Sequence, residues 1–254
     1  MIHEALWMAR NLLKAHSPAN LVSDWKTNLK QWKLFWSSYR RYNKLAPVDR
    51  RALLEHLYPC LGDDTEMTVV EPTYFYQDWW AFSRIVKNAP KVHVDVGSNH
   101  KFVALLSTVI QLTMVDIRPL SLPLEGLRFR RASILDLPFE DRSLESLSSL
   151  CVVEHIGLGR YGDALDPHGS EKALLELSRV LAPGGRLYLS APIGDRSMVA
   201  FNGGRIFSLS DLLDMLVKLE VAQARFVVGD RLQCEYEYTG GFGTTGLFEL
   251  IKAC

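Results

Sequence analysis

The stretch Lys91-Val-His-Val-Asp-Val-Gly-Ser-Asn-His-Lys101 constrains this chain most. A β-branched run stops at an acid and a glycine, then opens into the apolar segment Phe102 to Leu106. Strand, tight turn and helix start are the parts that bring free backbone N–H groups against a nucleotide-like ligand. Glycine after a strand also serves as a plain turn, so the loop needs company before it implies a site.

That company follows at regular intervals. Gln111-Leu-Thr-Met-Val-Asp116 reads as a second strand ending in an acid about 20 residues beyond Asp95, where doubly wound sheets place a carboxylate for ribose hydroxyls. Leu127-Arg-Phe-Arg-Arg131 alternates as a third strand and leads to Asp136. Ser143 to Cys151 reads as a fourth, followed by Glu154 and His155. These acids are expected along one edge of the sheet, the edge at which open α/β folds bind ligands.

Farther on, a helix is expected from about Ser170 to Leu181, a strand from Arg186 to Ala191, and a helix opened by the capping box Ser208-Leu-Ser-Asp211. Strands Ala222 to Val228 and Gly246 to Lys252 flank Thr239-Gly-Gly-Phe-Gly-Thr-Thr-Gly246, read as a flexible hairpin or a substrate-side flap.

The order Asp95-Val-Gly97, Asp116, Asp136-Leu-Pro, Glu154-His155 and Glu176-Leu-Ser-Arg-Val-Leu-Ala-Pro183-Gly184-Gly185-Arg-Leu-Tyr-Leu-Ser resembles the class I S-adenosylmethionine-dependent methyltransferases. Tyr74-Phe-Tyr-Gln-Asp, Ser148-Ser-Leu, Glu154-His155-Ile-Gly-Leu-Gly-Arg160-Tyr-Gly-Asp163, Ala191-Pro-Ile-Gly194 and Phe201-Asn202 are similar to a bacterial branch that often accompanies surface-polysaccharide genes. The resemblance spans roughly residues 70 to 210. It implies a Rossmann-like, mostly parallel α/β sheet of seven strands with an antiparallel last strand, and S-adenosyl-L-methionine as cofactor. Asp95, Gly97, Ser98, Asn99, Asp116, Ile117, Asp136 and Leu137 are then the expected cofactor-binding residues. Asn99 and Lys101 stand where the family's loop has its second and third glycines, and Asn99 is expected to supply a left-handed turn in glycine's place.

His155 is the candidate base, with Glu154 to orient it or to contact the cofactor; a histidine that merely holds the following turn is the alternative. Arg160, Tyr161 and Asp163, with Asn202 and Arg205, are the candidate acceptor-binding residues: Tyr161 to stack on a sugar, Arg160 to pair with phosphate or carboxylate. Asp163, Asp166 and His168 admit a divalent cation, but acids beside glycine and proline are ordinary turn formers, and no metal is expected. The expected reaction is O-methylation of a carbohydrate or other polar small molecule. The alternative is a catalytically silent scaffold in a glycan-synthesis complex.

Residues 1–90 differ in character and are expected as an N-terminal helical region ahead of the α/β domain at 91–254. Ile2, Leu6, Ala9 and Leu13 make one helical stripe, and Trp25, Leu29, Trp32, Trp36 and Tyr39 another, among Lys26, Lys30, Lys33, Arg40, Arg41 and Lys44. Two fates are open for the tryptophans: packing on this chain or on a second copy, or contact through Trp25, Trp32 and Trp36 with a membrane surface or protein partner. A third helix is expected from Val48 to Leu57.

The 254 residues carry 29 basic and 29 acidic side chains, a balance that argues against bulk nucleic-acid binding. Cys60, Cys151, Cys234 and Cys254 form no CxxC pair, which points to a reducing, cytoplasmic setting, with peripheral association at the inner membrane left open. The uncharged stretch Phe102 to Val115 is too short to cross a bilayer, and Glu4 and Arg10 interrupt the N-terminal apolar residues as no signal peptide would.

Overall fold

The computed structural model describes residues 25–216 and 218–253, without the side chains of 25–28. The stripe from Ile2 to Leu13 and the Trp25 side chain lie outside the described residues. The chain divides into two compact units, residues 1–69 and 70–254. No described helix is long and apolar enough to cross a membrane.

In the first unit, α1 (Trp25–Leu45) buries Trp32 and Trp36. Neighbouring rings meet edge to face, Trp32 on Phe35 at 5.7 Å and Trp36 on Tyr39 at 5.7 Å, an arrangement worth about 0.5–1.5 kcal/mol per pair beyond area burial. These two indoles are therefore packed rather than presented to lipid or a partner, while Lys30, Lys33, Arg41 and Lys44 are exposed.

The helix expected over Val48–Leu57 is replaced by two 3-10 turns, Val48–Arg50 and Leu54–His56, with extended backbone between them. The reason lies on α1. Asn43 takes both polar groups of Ala52, accepting from its N–H at 2.8 Å and donating to its carbonyl at 3.0 Å, and the Tyr39 hydroxyl also reaches that carbonyl. A helix would need those same groups for itself.

The second unit opens with α2 (Pro72–Asn88), which has Pro72 in its first turn and Glu71 capping the N–H groups of Thr73 and Tyr74. It ends at Ala89 in the left-handed conformation. So the helical region expected to reach residue 90 is shared between the units. Then come β1 (Val92–Val96), α3 (His100–Leu106), β2 (Gln111–Asp116), β3 (Leu127–Arg131), β4 (Leu144–Leu150), a 3-10 turn at Val153–His155, α4 (Gly169–Val180) and β5 (Leu181–Gly194). The hairpin β6 (Met198–Ala200) and β7 (Gly204–Ser208), α5 (Leu209–Met215), β8 (Leu219–Val228), β9 (Arg231–Gln233) and β10 (Thr244–Lys252) complete the unit.

The strand order is β3-β2-β1-β4-β5-β10-β8-β9, parallel from β3 to β5, with β10 antiparallel to both β5 and β8. The first seven of these strands are the sheet expected from the sequence, with its antiparallel last strand. Three short strands exceed that expectation. β9 folds back on β8 across the turn at Gly229, whose φ of 56° favours glycine, and β6–β7 joins β5 through a parallel pairing of Ile193 with Phe207.

Helices cover both faces. Ala173, Leu174 and Leu177 of α4 and Leu212 of α5 pack with Leu147, Leu187 and Phe248 on one side; Trp80 and Ile85 of α2 and Phe102 and Leu106 of α3 pack with Leu112, Leu150 and Tyr188 on the other. Fully buried Glu249 on β10 ties α2 to the sheet, with Arg84 Nη2 and Arg186 Nη1 each at 2.5 Å and Asn88 Nδ2 at 2.8 Å. The chain runs outward from β1 to β3, then crosses back to β4. The carboxyl ends of β1 and β4 therefore flank the switch point where such sheets leave a crevice.

Candidate active site

At the end of β1 the backbone turns at Gly97, φ 74°, where an added Cβ would lie 3.0 Å from Val152 Cγ1. Asp95 is fully buried and organises this turn: Oδ1 accepts the Ser98 N–H at 3.0 Å and Oδ2 accepts the Ser148 hydroxyl at 2.5 Å. Burial pushes its carboxyl up to about 6. Behind it, His93 bridges the hydroxyls of Ser146 and Ser148 at 2.7 and 2.9 Å, and burial pushes its imidazole down to about 3. With His93 neutral and Ser148 donating to Asp95, a consistent chain of donors runs from Ser146 through His93 to the loop.

Asn99 is not left-handed. Its φ is −59°, and its Oδ1 caps α3 through the Lys101 N–H at 2.9 Å. Neither Asn99 nor Lys101 has a positive φ, so the two substituted glycine positions impose no backbone strain.

Two adjoining hollows of about 100 and 360 Å³ open at the switch point. The smaller is an apolar slot between Val96, Val115, Ile117, Ile134, Leu135 and Val152. The larger is bordered by Tyr74, Ser98, Asn99, His100 and Leu120. Gly97, Asp116, Arg118, Cys151, His155 and Tyr161 face both. Asp116 Oδ1 accepts the Arg118 N–H at 2.7 Å.

Two expected cofactor contacts fall elsewhere. Asp136 is exposed in a turn with its N–H on the Ser133 carbonyl, and the preceding Ser133, Ile134 and Leu135 line the slot instead. Leu137 is a core residue whose N–H bonds Glu176 at 2.7 Å. Asp95, for its part, works behind the loop rather than on the hollow's wall.

His155 lies at the wall of both hollows on the 3-10 turn after β4. Burial, aided by the Arg160 charge, pushes its imidazole down to about 4. Glu154 beside it is 2% exposed, and burial pushes its carboxyl up to about 8. The Oε1 to Nε2 separation of 3.7 Å is too long for a hydrogen bond, so Glu154 does not orient His155 directly here. Glu154 Oε2 and His155 Nδ1 are both buried without a hydrogen-bond partner among the described residues. Buried polar groups left in this state are uncommon in native structures.

The loop after His155 is held by its own side chains. Asp163 lines the smaller hollow, yet its oxygens accept the N–H groups of Gly157 at 2.6 Å, Gly159 at 3.4 Å and Tyr161 at 3.3 Å. Arg205 is 8% exposed and spends its guanidinium on the carbonyls of Ile156, Asp166 and Pro167 and on the Ser170 hydroxyl. It is a clamp on the loop, not an acceptor contact. Asn202, at φ 64°, occupies an exposed turn and lines neither hollow. Arg160 bonds the Gly203 carbonyl at 2.8 Å. Tyr161 does face the cleft, although its ring already carries the guanidiniums of Arg118 at 4.3 Å and Arg160 at 5.1 Å.

The sequence reading missed Tyr74, Arg118 and Cys151. Arg118 follows the β2 acid by two residues, a position from which a side chain reaches the same edge. Cys151, at φ 52°, donates its thiol to Gln77 Oε1 at 2.9 Å, and burial holds that thiol well above its usual range.

A family model described as a Caenorhabditis protein of unknown function, DUF268, matches residues 138–227. No curated protein matches the chain. Among solved structures, the N-methyltransferase NodS from Bradyrhizobium japonicum with S-adenosylhomocysteine superposes with a TM-score of 0.50 at 15% identity, over 85% of this chain and 97% of that one. A candidate sarcosine dimethylglycine methyltransferase from Galdieria sulphuraria gives 0.52 at 15% identity over 70% and 86%. The [4+2]-cyclase SpnF gives 0.51 at 15% identity over 69% and 79%. The fold is that of the class I methyltransferases. SpnF, named for a cyclisation, marks that this fold is not tied to one reaction.

Proposed function

We propose that the chain is an S-adenosylmethionine-dependent methyltransferase that methylates oxygen on a carbohydrate or other polar small molecule, in the cytoplasmic synthesis of surface glycans. The observation that carries this is the cleft at the switch point, where a bare glycine backbone, an apolar slot and a carboxylate converge. They fit the donor part by part. A purine ring matches the slot between Ile117, Ile134 and Val152, ribose hydroxyls match the Asp116 carboxylate, and close backbone approach at Gly97 suits the methionine end. Bound there, the cofactor supplies an activated methyl group.

The chain's own residues do the rest. The loop from Gly157 to Gly169 aligns the acceptor, and alignment alone can lower the barrier by several kcal/mol. His155, neutral at physiological pH, accepts the proton of the acceptor hydroxyl. Glu154, whose carboxyl burial raises to about 8, adds no negative charge beside His155 at physiological pH.

Titration calorimetry with S-adenosylhomocysteine tests the cofactor site. The wild type binds, and Asp116→Ala weakens binding by about 1–3 kcal/mol, because two ribose hydroxyls lose their acceptor. No binding by the wild type refutes the reading; undiminished binding by Asp116→Ala removes the ribose assignment. Because the fold also carries other chemistry, methyl transfer itself is followed by homocysteine release over a panel of saccharides and nucleotide sugars. His155→Ala is expected to slow turnover at least roughly a hundredfold.

A further inference from the structure

Tyr161 stands where both hollows meet and gathers two cations. Arg118 lies 4.3 Å and Arg160 5.1 Å from its ring centroid, with His155 edge-on at 5.6 Å. Like charges collected on one ring repel unless a counter-charge stands among them. Among the described residues Asp116 is the one carboxylate in an ion pair with either arginine, at Arg118 Nε, and Arg160 has none. Asp163 serves three backbone N–H groups, and Asp116 meets Arg118 mainly through its backbone N–H, with Nε at 3.5 Å. Glu154 is held protonated by burial. The terminal nitrogens of Arg118 make no hydrogen bond among the described residues, and Arg160 uses Nη1 on Gly203 alone. The basicity of His155 is depressed first by burial and then by the Arg160 charge, with Asp163 acting in the opposite sense.

We propose that the acceptor carries an oxyanion, a carboxylate or a phosphate, and that Arg118 and Arg160 hold it on the Tyr161 platform. Planar guanidiniums pair with such groups through two parallel hydrogen bonds, and stacking on the ring fixes their orientation in advance. Tyr161 thus positions the arginines and does not stack on a sugar. The proposal rests on the methyltransferase reading insofar as it names the anion's owner as the acceptor.

The test is calorimetric titration of D-glucose, D-glucuronate and glucose 1-phosphate into protein saturated with S-adenosylhomocysteine. At least one of the two anionic sugars is expected to bind about tenfold or more tighter than glucose, and the tighter of the two tells carboxylate from phosphate. Arg160→Gln abolishes that preference and Arg160→Lys restores part of it, while affinity for S-adenosylhomocysteine stays within about twofold, since no donor group is assigned to Arg160. Arg118→Lys weakens anion binding through loss of the two-pronged contact. Equal binding of the three sugars, or no binding of either anion, overturns the proposal. So does a matching loss of S-adenosylhomocysteine affinity in Arg160→Gln, which would assign the arginines to the donor's carboxylate. If S-adenosylhomocysteine fails to bind the wild type, the methyl-transfer reading falls, and the same titrations without it still measure the anion preference.

Discussion

Replacing Glu154 by glutamine should alter the pH dependence of stability more than stability itself. The side chain is 2% exposed and its carboxyl is raised by burial from 4.5 to about 8. A carboxyl whose folded pKa exceeds its unfolded value holds its proton more tightly when folded. Its contribution is complete below pH 4.5, declines as pH rises because the unfolded chain ionises first, and is lost once pH passes about 8. Each pH unit in that window is worth about 1.4 kcal/mol, so the wild type forgoes about 4–5 kcal/mol between pH 4.5 and 8 from this group. Glutamine has nearly the same shape and no charge to lose. Its added N–H costs roughly 1–3 kcal/mol if unpaired, but that cost is independent of pH. Urea unfolding from pH 5 to 9 therefore gives a flatter profile for Glu154→Gln, with the two curves converging or crossing toward pH 5. Parallel curves would show that Glu154 is not held neutral, and the account of an uncharged neighbour for His155 would fail.

Three further outcomes are expected. Gly97→Ala forces a side chain into φ 74° and against Val152 Cγ1 at 3.0 Å, costing about 2–4 kcal/mol from the two penalties together; Gly97→Ala with Val152→Ala should recover only the contact part, as a double-mutant cycle by denaturant would read. Glu249→Ala leaves Arg84 and Arg186 facing each other without their buried counter-charge and should cost about 3 kcal/mol, with a stability loss under 1 refuting the anchor. Arg205→Met keeps bulk but frees the carbonyls of Ile156, Asp166 and Pro167, so amide exchange should accelerate through 156–170 while the sheet stays protected; unchanged exchange there would dismiss the clamp.

The sheet was legible because each of its first four strands is a short run closed by a local signal: Gly97, Asp116, Arg131 into Ser133, and Cys151. The capping role of Ser208 was legible for the same reason, its Oγ accepting the Asp211 N–H at 3.1 Å, although the Ser208 N–H goes to the Ser197 hydroxyl, which in turn donates to Asp211. The non-local parts were hidden. The segment Val48–Leu57 has helical spacing, but Asn43 and Tyr39, carried by α1, take the backbone groups of Ala52 that a helix requires. In α2, exposed Phe75 and Trp79 surround the same turns as buried Gln77 and Trp80, so apolar residues mark no single face.

Side-chain direction separates the expected site residues that face the cleft from those that do not. Asp116 ends β2 and His155 closes the 3-10 turn that follows β4, both where the chain leaves the sheet, and both face the crevice. Asp136 and Leu137 follow a turn whose geometry is set by the Ser133 hydroxyl on the Leu135 N–H and the Ser133 carbonyl on the Asp136 N–H. That turn spends its cleft-facing positions on Ser133, Ile134 and Leu135 and sends Asp136 to solvent and Leu137 to the core. The departure from the glycine-rich loop resolves in the same terms. A glycine is required only where φ is positive or a Cβ would collide, and both conditions hold at Gly97 and neither backbone angle at Asn99 nor Lys101 demands it. A helix cap from Asn99 and the buried Asp95–Ser148–His93 chain then hold the loop by hydrogen bonds, so the cleft keeps its shape with one glycine where the family pattern has three.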